Sequence, residues 1–250
     1  MKTVVDKKNV KSFFDTTFEK DSREKVSKFY SITGSSRKAY IDFLSGISEN
    51  KNILEYGCGM GSYAYNFVKN FDHLTGIDIS TKAVEMANSD LNPEEKEKVS
   101  FVVMDAEKLE FDDNTFDIVC GTGVLHYLDI ETAFKEILRV LKPDGRAVFL
   151  EPLNYNPAIN LYRKLTPGLR SRDEHPLTVK DLNLLLKFFR KTELKFFHLF
   201  TLAAIPFQNW IFFKPVLKTF SILDKILFSI IPYSRYLAWQ VVFLLEQPDK

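Results

Sequence analysis

Between Lys51 and Leu150 the chain alternates short, continuously apolar runs with helix-period segments, and few folds accept that pattern. Runs at 51–56 (KNILEY), 73–79 (HLTGIDI), 99–104 (VSFVVM), 116–121 (FDIVCG) and 146–150 (RAVFL) read as strands covered on both faces. Between them lie a helix at 80–90, capped by Ser80 or Thr81, and one at 129–141 with Ala133, Ile137, Val140 and Leu141 on a single face. Lys142-Pro143-Asp144-Gly145 predicts a helix stop followed by a turn. Parallel strands need crossover connections, so the alternation predicts an α/β, doubly wound sheet with helices on both faces. Ligands of such sheets bind beyond the carboxyl ends of the strands.

The first strand ends in Glu55-Tyr56-Gly57-Cys58-Gly59-Met60-Gly61, with glycine at every second position before a helix. Glycine lets backbone approach a ligand closely, and a helix start offers free N–H groups to an anion. A tight turn is the plainer explanation, although a turn needs fewer glycines. A dinucleotide fingerprint would require a third glycine at position 62, which holds Ser62, so a nicotinamide-linked oxidoreductase is disfavoured. The second strand ends at Asp78-Ile79, about 20 residues beyond the loop, where a carboxylate can accept both hydroxyls of a ribose. Asp78 alone could equally be a helix cap. The third ends at Asp105-Ala106, where a carboxylate can accept from an adenine amino group.

Taken in order, ILEYGCGMG, GIDIS, MDAEKLEF, FDIVCGTGVLHYL and RVLKPDGRAVFLEP resemble the five core motifs of the class I S-adenosylmethionine-dependent methyltransferases, over roughly Lys51 to Pro152. The resemblance implies a Rossmann-like, seven-stranded sheet whose last strand is antiparallel, with 237–245 (LAWQVVFLL) as that strand and a sixth near 194–199. It implies a single domain over 1–250, with an N-terminal helical cover at 1–50 and the cofactor-binding core at 51–152. Gly57, Cys58, Gly59, Gly61, Asp78, Ile79, Asp105 and Ala106 would then hold S-adenosyl-L-methionine, with Glu55 supporting the loop and the backbone around Gly121 facing the cofactor's amino group.

Acceptor-side expectations come from the same reading. Methyl transfer needs in-line approach and, for a neutral acceptor, a base. His126, in GVLHYL after the fourth strand, is one candidate and His175 the other; either could instead cap a loop. The stretch 153–178 is long for a connection and reads as a lid over the acceptor, offering Tyr155, Tyr162 and Arg163, with Tyr127 beside His126. Arg170, Arg172, Asp173 and Glu174 in it could equally be solvated surface pairs. Phe13, Phe14, Phe18, Phe29 and Tyr30 in the N-terminal cover read mostly as packing, with Tyr30 and Arg37 as further cofactor or substrate contacts.

The chain departs from the family at 203–235, an apolar insertion before the last strand whose cations are Lys214, Lys218, Lys225 and Arg235 and whose one acid is Asp224. Pro206, Gln208 and Asn209 interrupt it, which argues against a membrane-spanning helix. It suits a helix lying in a membrane interface, a wall around a lipophilic acceptor, or a homodimer contact.

At 45% hydrophobic and 27% charged, the composition excludes disorder, and a net charge of +1 excludes the basic footprint of a nucleic-acid binder. That charge is uneven: +5 over 180–250 and −4 over 1–179. Cys58 and Cys120 have no metal-ligand spacing, and Asp6, Lys7 and Lys8 stand where a signal peptide would be apolar, so no metal and a cytoplasmic protein, at most peripheral to a membrane, are expected. The sequence thus points to a methyltransferase acting on a prenyl quinone, polyketide or lipid-like phenol or acid. A non-catalytic S-adenosylmethionine-binding assembly or regulatory protein is the alternative.

Overall fold

The computed structural model describes residues 5–19, 29 and 31–249; Tyr30 lies outside them, as does the side chain of Phe18. Seven strands form one sheet: β1 (Asn52–Tyr56), β2 (His73–Asp78), β3 (Val99–Val103), β4 (Phe116–Thr122), β5 (Leu141–Pro152), β6 (Phe189–Phe197) and β7 (Gln240–Pro248). Their order is β3-β2-β1-β4-β5-β7-β6, with β7 antiparallel to both β5 and β6, as expected from the sequence. The chain leaves β1 toward β3 on one side and resumes at β4 on the other. A crevice therefore opens at the carboxyl ends of β1 and β4.

Helices α1 (Lys7–Glu19), α2 (Gly34–Ser45), α3 (Tyr63–Phe67), α4 (Thr81–Asp90), α5 (Ile130–Val140), α6 (Pro157–Leu165), α7 (Val179–Phe188) and α8 (Phe213–Ile230) surround the sheet. One face is packed by Tyr40 and Phe43 of α2, Ala64 of α3, and Val84 and Ala87 of α4. The other is packed by Phe134 and Ile137 of α5 and by Leu182 and Leu185 of α7. Local signals set the helix starts: Ser80 caps α4, Asp129 caps α5, and Thr178 with Asp181 forms a capping box on α7.

Three segments differ from expectation. Lys142–Gly145 forms no turn; α5 ends at Val140 and β5 begins at once, absorbing the extra residues in a register shift opposite Phe116 and Ile118, as a bulge does. Strand β6 starts at Phe189 rather than near 194, and 232–237 is a 3-10 helix, so β7 begins only at Gln240. The stretch 153–178 is not a bare loop. Asn156 caps α6, Pro157 occupies its first turn, and Leu153 bridges to Leu177, which closes the base of the excursion.

The insertion carries α8, and a buried polar network anchors it. Asp224 accepts from the backbone N–H of Leu199 (3.2 Å) and Phe200 (2.6 Å) and from the Thr201 hydroxyl (3.2 Å). His198 bridges Thr201 Oγ1 (3.1 Å) and Ser36 Oγ (2.9 Å), and burial pushes its imidazole down to about 3, so it stays neutral there. Ile32, Ile159, Leu202 and Ala204 form a small apolar cluster beside this network. The outer face of α8 is left uncovered, with Ile222, Leu223, Ile226 and Ile230 all exposed.

Candidate active site

The loop after β1 is held from below. Glu55, 2% exposed, accepts from the backbone N–H groups of Tyr63 and Ala64 (both 3.1 Å) and from the Ser62 hydroxyl. Ser62 in turn caps α3 through the Tyr65 N–H (2.8 Å). The position that departs from a dinucleotide loop is thus a buried cap clamped to Glu55. Gly57 (φ 66°) and Gly59 (φ 56°) adopt backbone that disfavours any side chain, and a Cβ on Gly57 would meet Val124 at 2.9 Å.

Burial drives the Glu55 carboxyl from an ordinary 4.5 to about 7, against the pull of its three hydrogen bonds. The folded form binds the proton more tightly than the unfolded one, so this contribution to stability is complete below about 4.5 and is lost as the pH rises through about 7. Denaturant melts of Glu55→Gln and of the parent should therefore diverge between pH 5 and 8, the parent alone losing on the order of 3 kcal/mol. Parallel pH profiles for the two proteins would contradict this account.

Above the loop lies a cleft of about 450 Å³, lined by Gly57, Cys58, Gly59, Gly61, Asp78, Ile79, Asp105 and Ala106, all expected from sequence. Asp78 accepts from the N–H of Gly59 (2.9 Å) and of Ser80 (2.8 Å), which fixes its carboxylate between loop and helix start. Glu55 lies under the loop and supports it, as expected, and does not itself line the cleft. Gly121 is packed within β4, where a Cβ would meet Phe149 and Val124 at 2.9 Å, and Thr122 and Gly123 line the cleft in its place.

Helix α1 closes the cleft with a polar stripe that the sequence reading missed. Lys7 pairs with Asp105 (2.5 Å) and Glu107 (2.9 Å), and four residues on Lys11 donates to the Ile79 carbonyl (3.0 Å). The spacing of these residues puts them on one face. Val10 and Phe14 of the same helix complete the wall.

A second cavity, about 1340 Å³, adjoins the cleft and shares Phe14, Tyr63, Thr122, Gly123 and Tyr127 with it. Its walls include Phe13, Phe29, Leu150, Ile159, Tyr162, Leu169 and Trp239. His126 lines it. The Nδ1 of His126 lies 2.7 Å from Glu151 Oε2, while Glu151 Oε1 accepts from the N–H of Val124 (2.8 Å) and Leu125 (2.9 Å). Both side chains are buried. A carboxylate only accepts, so Nδ1 carries the proton and Nε2 presents a lone pair. A Cβ on Gly123 would come within 3.7 Å of His126 Cε1, which sets the ring against the wall common to both cavities. Glu151 was not picked out in the sequence, although a carboxylate ending β5, next to β4, was a readable signal.

The other acceptor-side expectations divide. Tyr127 lines both cavities and is half-buried, and desolvation pushes its phenol well up. Tyr162 and Arg163 line the larger one. Tyr155 does not; it is 42% exposed at the start of the excursion. His175 lines neither cavity, and its backbone N–H donates to the His126 carbonyl (2.7 Å), which braces the His126 loop. Arg37, expected to contact cofactor or substrate, lines the larger cavity. No residue of 203–235 lines either cavity. Among the described residues there is also no group of three or more metal-ligating side chains.

A glycine loop at β1, carboxylates ending β2 and β3, and an antiparallel last strand define a Rossmann-like nucleotide-cofactor core. Residues 54–149 match the methyltransferase domain family. The chain is 33% identical over 125 residues to demethylmenaquinone methyltransferase of Lactococcus lactis, covering 48% of this chain and 47% of that one. To sterol 24-C-methyltransferase of Aspergillus fumigatus it is 37% identical over 109 residues, covering 42% and 29%. The chain thus spans less than half the length of these curated relatives. The fold matches that of phosphoethanolamine N-methyltransferase 2 from Haemonchus contortus, solved with phosphomonomethylethanolamine and S-adenosylhomocysteine, at TM-score 0.63 and 17% identity over 98% of this chain and 61% of that one.

Proposed function

We propose that the protein transfers the methyl group of S-adenosylmethionine to a hydrophobic small molecule, and that residues 1–250 act as one unit in doing so. The observation that carries this reading is the junction of the two cavities at Thr122, Gly123 and Tyr127, with His126 against it. The cleft suits the cofactor: the glycine loop leaves room beside backbone, Asp78 can take the ribose hydroxyls, and Asp105 with the Ala106 backbone can take the adenine. When bound, S-adenosylmethionine supplies a methyl group on a positively charged sulfur.

The protein's own residues do the remainder. The aromatic walls hold the acceptor in line with the cleft and exclude water. The Nε2 of His126 takes the proton that an O–H or N–H acceptor loses as its lone pair forms the new bond to the methyl carbon. Glu151 is a positioning residue, fixing the tautomer and stabilising the imidazolium that results. The relatives named for demethylmenaquinone and sterol agree with a large apolar acceptor. The placement of His126 favours catalysis over a non-catalytic assembly role. Calorimetric titration with S-adenosylmethionine and, separately, NADH tests the cofactor, followed by turnover of lipophilic phenols and quinones. Binding of NADH alone would overturn the reading.

We also infer peripheral contact with a membrane through 203–235. No described helix is long and apolar enough to cross one. On α8, Lys214, Lys218 and Lys225 form a stripe beside the exposed Ile222, Leu223, Ile226 and Ile230, and Trp210, Ile211 and Phe212 extend the apolar face. The insertion's one acid, Asp224, is only 4% exposed, so its surface offers cations alone. Sedimentation with vesicles containing phosphatidylglycerol should capture the parent, and Ile226→Glu with Ile230→Glu should weaken capture by about tenfold or more. Equal capture of parent and variant, or none of the parent, would remove the membrane from the account.

A further inference from the structure

The larger cavity is apolar along much of its wall but charged at one end. Among the described residues, Arg37, Arg163, Arg170 and Arg172 line it against Asp173 and Glu174. Two of these guanidiniums share one carboxylate: Arg163 Nη2 lies 3.2 Å from Glu174 Oε1 and Arg170 Nε 3.6 Å from Glu174 Oε2. All three side chains are withdrawn from solvent, at 17%, 18% and 11% exposure. The Oδ1 of Asp173 accepts from the Asp6 N–H (3.3 Å), while its buried Oδ2 has no hydrogen-bond partner among the described residues.

A half-buried pair of like charges sharing one carboxylate is costly, because a lowered dielectric strengthens repulsion as well as attraction. Burial and the neighbouring Arg170 both work against the charge on Arg163. Arg170 is held in place by the carbonyls of Arg163 and Thr166 (both 3.3 Å) and lies over the Tyr162 ring, 5.2 Å from its centroid, so the arrangement is built and not a loose surface pair. It sits beside the reacting end, since the residue after Glu174 donates its backbone N–H to His126.

Resting on the methyl-transfer reading above, we propose that the acceptor is an amphiphile whose anionic group, a carboxylate or a phosphate, is received by Arg163 and Arg170 with Glu174 holding the place until it arrives. Planar guanidinium forks match both anions. Aromatic walls ending in an arginine pair select an acid carrying a hydrophobic body over a neutral quinone or alcohol of the same size.

Calorimetry with naphthoate, naphthyl phosphate and naphthalenemethanol, on the full chain with and without S-adenosylhomocysteine, tests this. At least one anionic probe should bind about tenfold or more tightly than the alcohol, and comparing the two anions separates carboxylate from phosphate. Arg163→Gln should erase that preference and leave alcohol binding as it was. Glu174→Gln should tighten the anion several-fold without affecting the alcohol, an outcome that a misfolded variant cannot produce. Equal binding of all three probes to the parent, or a Glu174→Gln protein with unchanged preference, would overturn the proposal. Failure to bind S-adenosylhomocysteine would instead count against the methyl-transfer reading, while titrations of the free protein still report on the anion site.

Discussion

Asp78→Ala is expected to lose S-adenosylmethionine binding by at least about 100-fold, because two charge-assisted hydrogen bonds to a ribose are worth roughly 1.5–3 kcal/mol each. The loss has a second source within the protein. The Asp78 carboxylate also accepts from Gly59 and Ser80, so alanine releases the glycine loop whose backbone forms the cleft wall. Asp78→Asn keeps one acceptor and should fall between the two. Calorimetric titration measures the effect, with far-ultraviolet circular dichroism showing that the variants fold. An alanine variant with parental affinity would mean that Asp78 is only the cap for which it could be mistaken in the sequence.

The second large effect belongs to His126. Its replacement by alanine should lower kcat by about 100-fold to 10,000-fold, the usual range for a lost general base, with cofactor affinity unchanged. Single-turnover transfer from labelled S-adenosylmethionine, on an acceptor found by screening, separates the two quantities. Added imidazole should restore part of the rate to His126→Ala. Glu151→Gln should lower kcat less and gain nothing from imidazole, since the ring remains while its orienting carboxylate is gone. A His126→Ala enzyme with normal kcat would show that the acceptor reaches the cleft already ionised, and that positioning alone carries the reaction.

Much of this site was legible before any coordinates. The glycine loop, Asp78 and Asp105 each follow a strand directly in sequence, and in a parallel sheet every strand's carboxyl end faces the same crevice. Local order therefore translated into spatial proximity. His126 was found for the same reason, four residues after β4. The part that was not legible has a different cause. Lys7 reaches Asp105 across 98 positions, a contact with no local signal.

The sequence by itself determined the sheet, its parallel core and the cofactor wall, because hydrophobic periodicity and turn chemistry act over a few residues and the crossover rule leaves little choice of topology. Only the tertiary structure decided that Glu151 orients His126, that His175 lines neither cavity, that α1 bars the cleft, and that two arginines share Glu174. Each of these depends on where the excursion at 153–178 and the N-terminal helix settle against the sheet. That placement is set by packing among side chains distant in sequence, for which the chain carries no short-range code.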